Sequence, residues 1–330
     1  MESTSTTMTY GDALKIFLAA DDHYGGGLAN HGPMAAEALV SMGQADAIGA
    51  FVAAYESRLE PSRRQVAPAP DDWRSWLQPQ LTTLVPLAGN LAGHGLLRVA
   101  HAVRGLERAE ANGGGSAVQR RELAVAVHYW RNGGAGVRSP KQLDGGSTAD
   151  QWLAMLGRLD PEQRSDGLLT VTLAAAAETE GFRVGMAALA PSPDPASTLD
   201  VLAVKAAFAF ERNNGLNAFA LLHGVTVSSM ARVLLAHLDD ASARELEAVV
   251  AGFVGAALIG FDVVEPPPDD DDADESIRRF DTAALAGQAA ATREDHTIKF
   301  VDACLQVAVR TGDPQPLRAA HRQIVQPYGL

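Results

Sequence analysis

The chain has 330 residues, a formal net charge of −13 and 47% hydrophobic residues, which together indicate a globular protein rather than a disordered one. The acidic balance, with no basic patch, argues against a nucleic-acid partner and against an anionic membrane surface. Aromatic residues make up only 6% of the chain, which disfavours a sandwich or barrel of short, aromatic-rich strands.

Apolar residues follow the 3.6-residue period of an α-helix along most of the chain, and no repeat of 20 to 50 residues is visible. Pro33 suits the first turn of a helix that ends near Gly43, because proline favours a first helical turn and glycine a helix end. The predicted helices cover residues 9–20, 33–43, 45–59, 71–85, 87–111, 117–131, 148–158, 161–180, 183–189, 198–213, 215–224, 228–238, 241–258, 277–291 and 293–311, with a last helix after Pro314.

This order of elements predicts an all-α protein with a single large helical domain over residues 1–330. The sharpest break in composition is EPPPDDDDADE, residues 265–275, whose prolines and acidic residues predict a solvated loop within that domain. Cys304 is the one cysteine, so no disulfide forms within the chain. The sequence begins without a basic and then apolar segment, and we expect a cytoplasmic location.

A glycine run at residues 25–27 leads through Asn30 and His31 into the helix that Pro33 begins. A phosphate-binding loop would carry lysine and then serine or threonine after its last glycine, and this loop has neither. A dinucleotide-binding loop would follow a buried strand, whereas the preceding segment has a helical pattern. His31 therefore either caps the helix or points into the helical bundle as a ligand.

His94, Arg98 and His101 form a polar stripe on one predicted helix, because offsets of four and seven residues return to nearly the same face. Leucine and valine surround this stripe, so it is expected to be buried, and buried polar groups need partners. Two interpretations stay open: a satisfied hydrogen-bond network, or a metal ligand with its supporting groups.

Two further histidines stand in unusual surroundings. His223 lies in AFALLHGVTVSS and is expected to be buried and neutral, while His296 opens an apolar helix with Lys299 one turn further on. Together with His31 and His94 they place four histidines on four separate helices, which can form a metal site between facing helices. No HExxH, paired ExxH or CxxC pattern identifies a metal, so a structural polar core is the alternative.

Four short motifs, in this order, resemble those of the questin oxidase-like family. They are Asn30-His31-Gly32-Pro33-Met34 with the following AAEAL, His94-Gly95-Leu96-Leu97-Arg98, Leu222-His223 with Val225-Thr226, and Asp295-His296 with Ile298-Lys299. Each motif is short, but the ordered set spans residues 30–299, which is most of the chain.

The resemblance implies an all-helical oxidoreductase that opens a ring of an aromatic polyketide, such as an anthraquinone, by oxidation. Its partners would be a small aromatic substrate and O2, and its cofactor non-haem Fe(II), with NADPH as a co-substrate in some members. The implied metal ligands are His31, His94, His223, His296 and a carboxylated Lys299.

Two residues depart from the family pattern. Arg98 stands where fungal relatives tend to carry a second histidine, and His101 has no counterpart that we can place. We predict that Arg98 and His101 act with Lys299 in catalysis, with His101 either replacing one of the four ligands or hydrogen-bonding to one of them.

Two other functions remain open. Histidines and a carbamate suit iron, but the same set suits a zinc ion that activates water, so a zinc-type metallohydrolase is one alternative. The other is a non-catalytic helical protein that binds an apolar small molecule and whose polar core is purely structural. No GxGxxG follows a strand, so a bound flavin or nicotinamide has no local support.

Overall fold

The computed structural model describes residues 8–263 and 280–329, except for residues 26, 63, 115, 135, 138 and 165–168. Within these residues it contains fifteen α-helices and one short antiparallel hairpin. The helices are α1 (Tyr10–Leu18), α2 (Gly32–Ser41), α3 (Ile48–Tyr55), α4 (Trp73–Leu84), α5 (His94–Ala111), α6 (Ala117–Arg131), α7 (Ala149–Met155), α8 (Leu169–Ala177), α9 (Glu180–Ala188), α10 (Pro195–Arg212), α11 (Gly215–Leu235), α12 (Asp240–Phe261), α13 (Thr282–Thr292), α14 (Asp295–Thr311) and α15 (Gln315–Val325), and the strands are β1 (His23–Tyr24) and β2 (Leu28–Ala29).

The prediction of an all-α protein is confirmed for the described residues. Helix α2 begins and ends where the pattern indicates, with Pro33 in its first turn and Gly43 just beyond its end at a φ of 73°. Helix α6 has the predicted bounds, and its start is fixed by a capping box in which Ser116 and Gln119 bond to each other's backbone N–H groups. The predicted acidic loop at residues 265–275 lies outside the described residues, and the single domain over residues 1–330 stays a prediction.

Several predicted helices have different bounds. The predicted break between residues 224 and 228 is absent, because α11 runs continuously through Gly224, where a Cβ atom would lie 2.9 Å from Cβ of Ala206 on α10. Glycine here permits close helix packing instead of ending a helix. Helix α5 begins at His94 and not near residue 87, because Leu91, Ala92 and Gly93 all have a positive φ. Helix α8 covers only part of the predicted 161–180.

Helix α11 lies at the centre of the fold, where it packs against α5, α10, α12 and α14. Most of its residues are buried, from Ala218 to Leu234. The same helix is the one among the described residues that is long and apolar enough to cross a membrane, and 78% of its most apolar window is buried inside the protein. His223, in the middle of α11, is therefore held in the interior.

The hairpin β1–β2 was not predicted, and it has a clear local cause. Gly25 and Gly27 adopt φ values of 55° and 130°, which glycine tolerates better than other residues, and they turn the chain between the two strands. The backbone N–H of Asn30 then donates to the carbonyl of Asp22, 2.8 Å away. The hairpin thereby fixes the chain that enters α2.

We expect the substitution Gly32→Ala to lower the free energy of unfolding by about 1–3 kcal/mol, because the new methyl group overpacks a full core. A Cβ atom at Gly32 would lie 2.4 Å from the ring of Phe17, which is itself fully buried. The measurement is urea unfolding followed by circular dichroism.

Gly287→Ala is the matched control, since Gly287 lies inside α13 and a Cβ atom there would meet nothing within 4 Å. Alanine has the higher helix propensity, so this variant should be as stable as the wild type or more stable by up to about 1 kcal/mol. Equal effects of the two substitutions would show that the contact with Phe17 does not constrain the start of α2.

Candidate metal centre

Four histidine rings meet at one place in the fold. His31 stands at the start of α2, His94 at the start of α5, His296 in the first turn of α14, and His223 in the middle of α11. The ring centroids lie 4.8 Å apart for His31 and His94, 4.5 Å for His31 and His296, 5.2 Å for His94 and His223, and 5.8 Å for His223 and His296. The four candidate ligands from distant parts of the sequence thus form one cluster, which we call the histidine cluster.

The loop before α2 sets the direction of the His31 side chain. The side chain of His31 makes no capping hydrogen bond, although the residue occupies the capping position of α2. Its backbone N–H donates to the hydroxyl of Tyr55, 2.8 Å away, and Oδ1 of Asn30 accepts from the N–H of Gly32 at 3.0 Å. These bonds hold the turn while the imidazole points into the bundle, so the alternative of a helix cap is not what the geometry favours.

Backbone carbonyls fix the tautomer of two of the rings. Nδ1 of His94 lies 2.5 Å from the carbonyl oxygen of Leu91, and Nδ1 of His223 lies 2.9 Å from that of Phe219. A carbonyl oxygen only accepts hydrogen bonds, so Nδ1 must carry the proton in both rings. In the neutral ring Nε2 is then left with a free lone pair.

Carboxylates at the start of α14 fix the tautomer of the other two rings, those of His31 and His296. Nδ1 of His31 lies 2.5 Å from Oδ2 of Asp295, and Nδ1 of His296 lies 3.2 Å from Oε1 of Glu294 and 3.3 Å from Oδ2 of Asp295. Arg58 reaches the other oxygen of Asp295 at 3.2 Å. A carboxylate that holds Nδ1–H of a histidine is the usual support behind a metal-binding Nε2.

The Nε2 atoms of His31, His94 and His296 are buried and have no hydrogen-bond partner among the described residues. One ligand atom from each of these three residues lies within 4.8 Å of the others. Leaving a buried polar atom unpaired costs about 1–3 kcal/mol, and native proteins seldom tolerate it. Three such lone pairs side by side fit a bound cation, and the residues present therefore suit a metal ion.

The protonation state of three of the four rings also suits metal binding. Burial lowers the pKa of His31 and that of His94 well below the usual histidine value, and burial lowers the pKa of His223 to about 3. The charge of Lys299 lowers all three further. These rings are neutral at pH 7, and a neutral imidazole is the form that binds a metal.

Lys299 lies beside the histidine cluster, one turn after His296 on α14. Its side chain is almost completely buried, and no hydrogen bond or ion pair engages it within the described part of the chain. Burial lowers its pKa to about 8, although the charges of Asp295 and Glu294 act in the opposite direction. A buried amine of this kind is easier to deprotonate than an exposed one, which is the condition for reaction with CO2.

The four rings of the histidine cluster differ in exposure. His94 and His296 are half-buried, whereas His31 and His223 are buried. The ring of Phe219 lies 4.9 Å from that of His223 and 5.0 Å from that of His296. The ring of Tyr328 lies 5.5 Å from that of Phe219, so two aromatic rings extend from the His223 and His296 side of the cluster.

Arg98 lies in an ion pair and not in the histidine cluster. Its Nε and Nη2 atoms donate to Glu122 at 2.7 and 3.0 Å, and Nη1 donates to Asp22. Asp22 accepts from Asn30, so Arg98 supports the hairpin that carries His31. A catalytic role for Arg98 stays a prediction.

His101 belongs to a second group of side chains, which we call the charge cluster: Glu37, His101, Arg104 and Asp302. Nδ1 of His101 lies 2.7 Å from Oε2 of Glu37, and Nη2 of Arg104 lies 2.6 Å from Oδ2 of Asp302 while it also donates to Glu37. The contacts of the His101 ring therefore go to Glu37 and Arg104 and to none of the four histidines. Its predicted part in catalysis or metal binding stays untested.

Sequence reasoning missed the residues that support the rings. It treated Asp295 as part of a helix start, and it gave Glu37 and Asp302 no role. The position of Asp295 directly before His296 was the one available signal, because the contact with His31 joins residues 264 positions apart.

No model of a known protein family matches the chain, and comparisons with curated proteins and with solved structures give no match either. The resemblance to the questin oxidase-like family therefore rests on the four short motifs alone.

We expect Glu37→Gln to destabilise the protein by about 3 kcal/mol or more at pH 7, because it removes the carboxylate that the largely buried Arg104 and the half-buried Arg108 share. Burial alone would raise the pKa of Glu37, but Arg104 and His101 outweigh it and hold that pKa well below its usual range. The stability that Glu37 contributes is therefore complete above about pH 4.5 and is lost as the pH falls further.

The measurement is the difference in the free energy of unfolding between wild type and Glu37→Gln from pH 7 to pH 3. This difference should be constant down to about pH 5 and then shrink. Glu56→Gln, at an exposed glutamate, is the control and should change little at any pH. A difference that is small at pH 7, or that grows as the pH falls, would contradict the assigned ion pairs.

Proposed function

We propose that this protein is a non-haem Fe(II)-dependent oxygenase that opens a ring of an aromatic polyketide, anthraquinone-like substrate. The observation that carries the proposal is the set of unpaired Nε2 atoms of His31, His94 and His296, beside the neutral ring of His223. These four histidines would hold the metal, and Lys299, once carboxylated, would add an anionic oxygen ligand.

The donor set supports iron on chemical grounds. Imidazole binds iron, zinc, copper and nickel, and a hard carboxylate-type oxygen adds the ligand that non-haem iron sites commonly use. To form that ligand, the neutral amine of Lys299 bonds to the carbon of CO2 and releases one proton, which leaves a carbamate with one negative charge. Asp295 would keep the Nδ1 proton of His31 in place and so keep Nε2 directed at the metal.

The remaining residues suit an aromatic substrate. Bound Fe(II) would supply the activation of O2, which the side chains of this site lack. Phe219 packs against His296 and Tyr328 packs against Phe219, so both rings offer aromatic surface beside the histidine cluster for a planar substrate. Five protein ligands leave one position at a six-coordinate ion, so the substrate would bind beside the metal or displace one ligand.

The need for a reductant depends on the fate of the two oxygen atoms. Insertion of both atoms of O2 into the ring requires no external electrons. Insertion of one atom with reduction of the other to water takes two electrons, which NADPH would supply as a co-substrate that diffuses in. The chain has no GxGxxG after a strand, so the proposal does not include a tightly bound nicotinamide.

A zinc-type hydrolase is the second candidate, because the same nitrogen ligands and carbamate suit Zn2+ with an activated water. Metal content separates the candidates, measured by plasma mass spectrometry on protein purified without chelator and without a histidine tag. Iron near one atom per chain supports the oxygenase, and zinc that iron does not replace supports the hydrolase. No metal after anaerobic loading with Fe(II) would overturn both and favour a non-catalytic helical binding protein.

We expect His223→Ala to lower metal affinity by more than about tenfold, since loss of even a supporting residue at a metal site has that effect. The ring of His223 makes one hydrogen bond, to the carbonyl of Phe219 in its own helix, so the helical circular dichroism should be retained. His237→Ala is the control, because His237 bonds to Glu107 at 3.1 Å outside the histidine cluster. Full metal content in folded His223→Ala protein would refute the ligand role.

We expect Lys299→Ala to lower activity by at least tenfold and short carboxylic acids such as acetate to restore part of it, because they can occupy the place of the carbamate. Carbon-13 NMR of protein supplied with labelled bicarbonate should show one carbamate signal that this variant lacks. Lys205→Ala is the control, since Lys205 pairs with Asp150 at the surface. A carbamate signal that persists in Lys299→Ala would place carboxylation elsewhere.

A further inference from the structure

Three of the helices that carry the histidine cluster meet a second time further along their length. The histidine cluster takes His31 from α2, His94 from α5 and His296 from α14, and the charge cluster takes Glu37, His101 with Arg104, and Asp302 from the same three helices. Glu37, His101 and Asp302 lie six or seven residues after the histidine on the same helix, roughly 9–11 Å along the axis, and Arg104 lies ten residues after His94, roughly 15 Å along α5. Two fixed points on each helix determine where its N-terminal end lies.

Arg104 is the group that joins all three helices in the charge cluster. From α5 it donates to Glu37 on α2 through Nε at 3.0 Å and through Nη2, and its Nη2 also lies 2.6 Å from Oδ2 of Asp302 on α14. His101 and Arg108, both on α5, reach Glu37 at 2.7 Å as well. A planar guanidinium with donors in fixed directions is suited to such a bridge, and a lysine ammonium is not.

The charges of the charge cluster balance without a further ligand, although Nη1 of Arg104 is buried and has no hydrogen-bond partner among the described residues. Its carboxylates, Glu37 and Asp302, face the guanidinium groups of Arg104 and Arg108, so two negative charges are balanced by two positive ones. Glu37, His101 and Asp302 lie close enough to one another to hold a metal ion, but the guanidinium of Arg104 is already bonded to both carboxylates. These bonds favour a structural role for the charge cluster over a second metal site.

Buried ion pairs add little to stability when compared with apolar side chains of the same size, and their best-attested use is to fix one arrangement of the surrounding elements. A metal site needs such fixing, because its ligands must be held within roughly 0.5 Å of the productive geometry. Apolar packing alone allows small sliding and rotation of helices, whereas directional hydrogen bonds of a guanidinium do not.

We propose that Arg104 is a positioning residue that bridges α2, α5 and α14 and thereby holds His31, His94 and His296 at the spacing that one metal ion requires. This inference rests on the proposed metal-binding function. His223, on α11, takes no part in the bridge.

The test is a titration of metal-free protein with Co(II), followed by the visible absorption bands whose position and intensity report the geometry of the ligands. The variant Arg104→Lys keeps the positive charge but loses the bridge, so Co(II) should bind about 10–100-fold more weakly and with altered bands. Circular dichroism and the thermal midpoint, measured on the same sample, establish that the variant is folded.

The control is Arg212→Lys. Arg212 also donates through two nitrogens to one carboxylate, that of Asp262, and its side chain is 15% exposed against 12% for Arg104. It joins α10 to the end of α12, and neither of these helices carries a member of the histidine cluster. We expect a comparable fall in the thermal midpoint with Co(II) affinity within twofold of the wild type.

Asp302→Asn is the second variant and serves if Arg104→Lys does not fold, because it releases α14 alone and leaves the bond between Arg104 and Glu37. It should weaken Co(II) binding in the same direction. Folded variants that bind Co(II) with wild-type affinity and bands would overturn the positioning role, as would an equal loss in Arg212→Lys. Wild-type protein that binds no Co(II) would instead overturn the metal site itself.

Discussion

The structure depends on four imidazole rings that cannot satisfy their hydrogen-bonding groups by bonding to one another. Each of the four rings has Nδ1 beside an acceptor oxygen, so in the neutral rings of His31, His94 and His223 the remaining nitrogen is an acceptor. Acceptors cannot bond to one another, and protonation is opposed by burial and by the charge of Lys299. Such buried nitrogens lower the stability of the fold unless a cation, or a water molecule that donates a hydrogen bond, binds between them.

The positions of the rings on their helices add a second constraint. His31, His94 and His296 stand at the N-terminal ends of α2, α5 and α14, where the helix dipole is positive. This field keeps imidazoles neutral, but it also opposes a bound cation. Asp295 and Glu294 supply negative charge at the same place, and a carbamate in place of the Lys299 ammonium would replace a positive charge by a negative one. In the proposed site, the negative charge of the carbamate would thus offset the positive field of the three helix ends.

The helices and the four candidate histidines could be predicted from the sequence, but the contacts between them could not. The start and end of α2 could be predicted because Pro33 and Gly43 each determine the backbone within a few residues of their own position. Local rules of this kind apply to a sequence without knowledge of its fold. The break predicted between residues 224 and 228 is wrong, and the role of Gly224 depends on the approach of α10, which no local pattern reveals. The contact between Asp295 and His31 is likewise non-local, so a helix-start pattern was the natural interpretation of that aspartate. The possibility of a metal site came from the surroundings of the four histidines, and the resemblance then supplied iron and the carboxylated Lys299.

The polar stripe on α5 shows why one pattern allowed two interpretations. Its three members share a face, as the period indicates, yet they have different partners: His94 in the histidine cluster, Arg98 on Glu122 and Asp22, and His101 on Glu37. The stripe is a hydrogen-bond network along most of its length and a candidate ligand at its end. Arg98 contacts Asp22 next to the hairpin, and His101 contacts Glu37 on α2. The α5 stripe therefore supports the location of His31 from two directions. Arg98 and His101 can then influence chemistry at the cluster through the position of His31, without contacting a substrate.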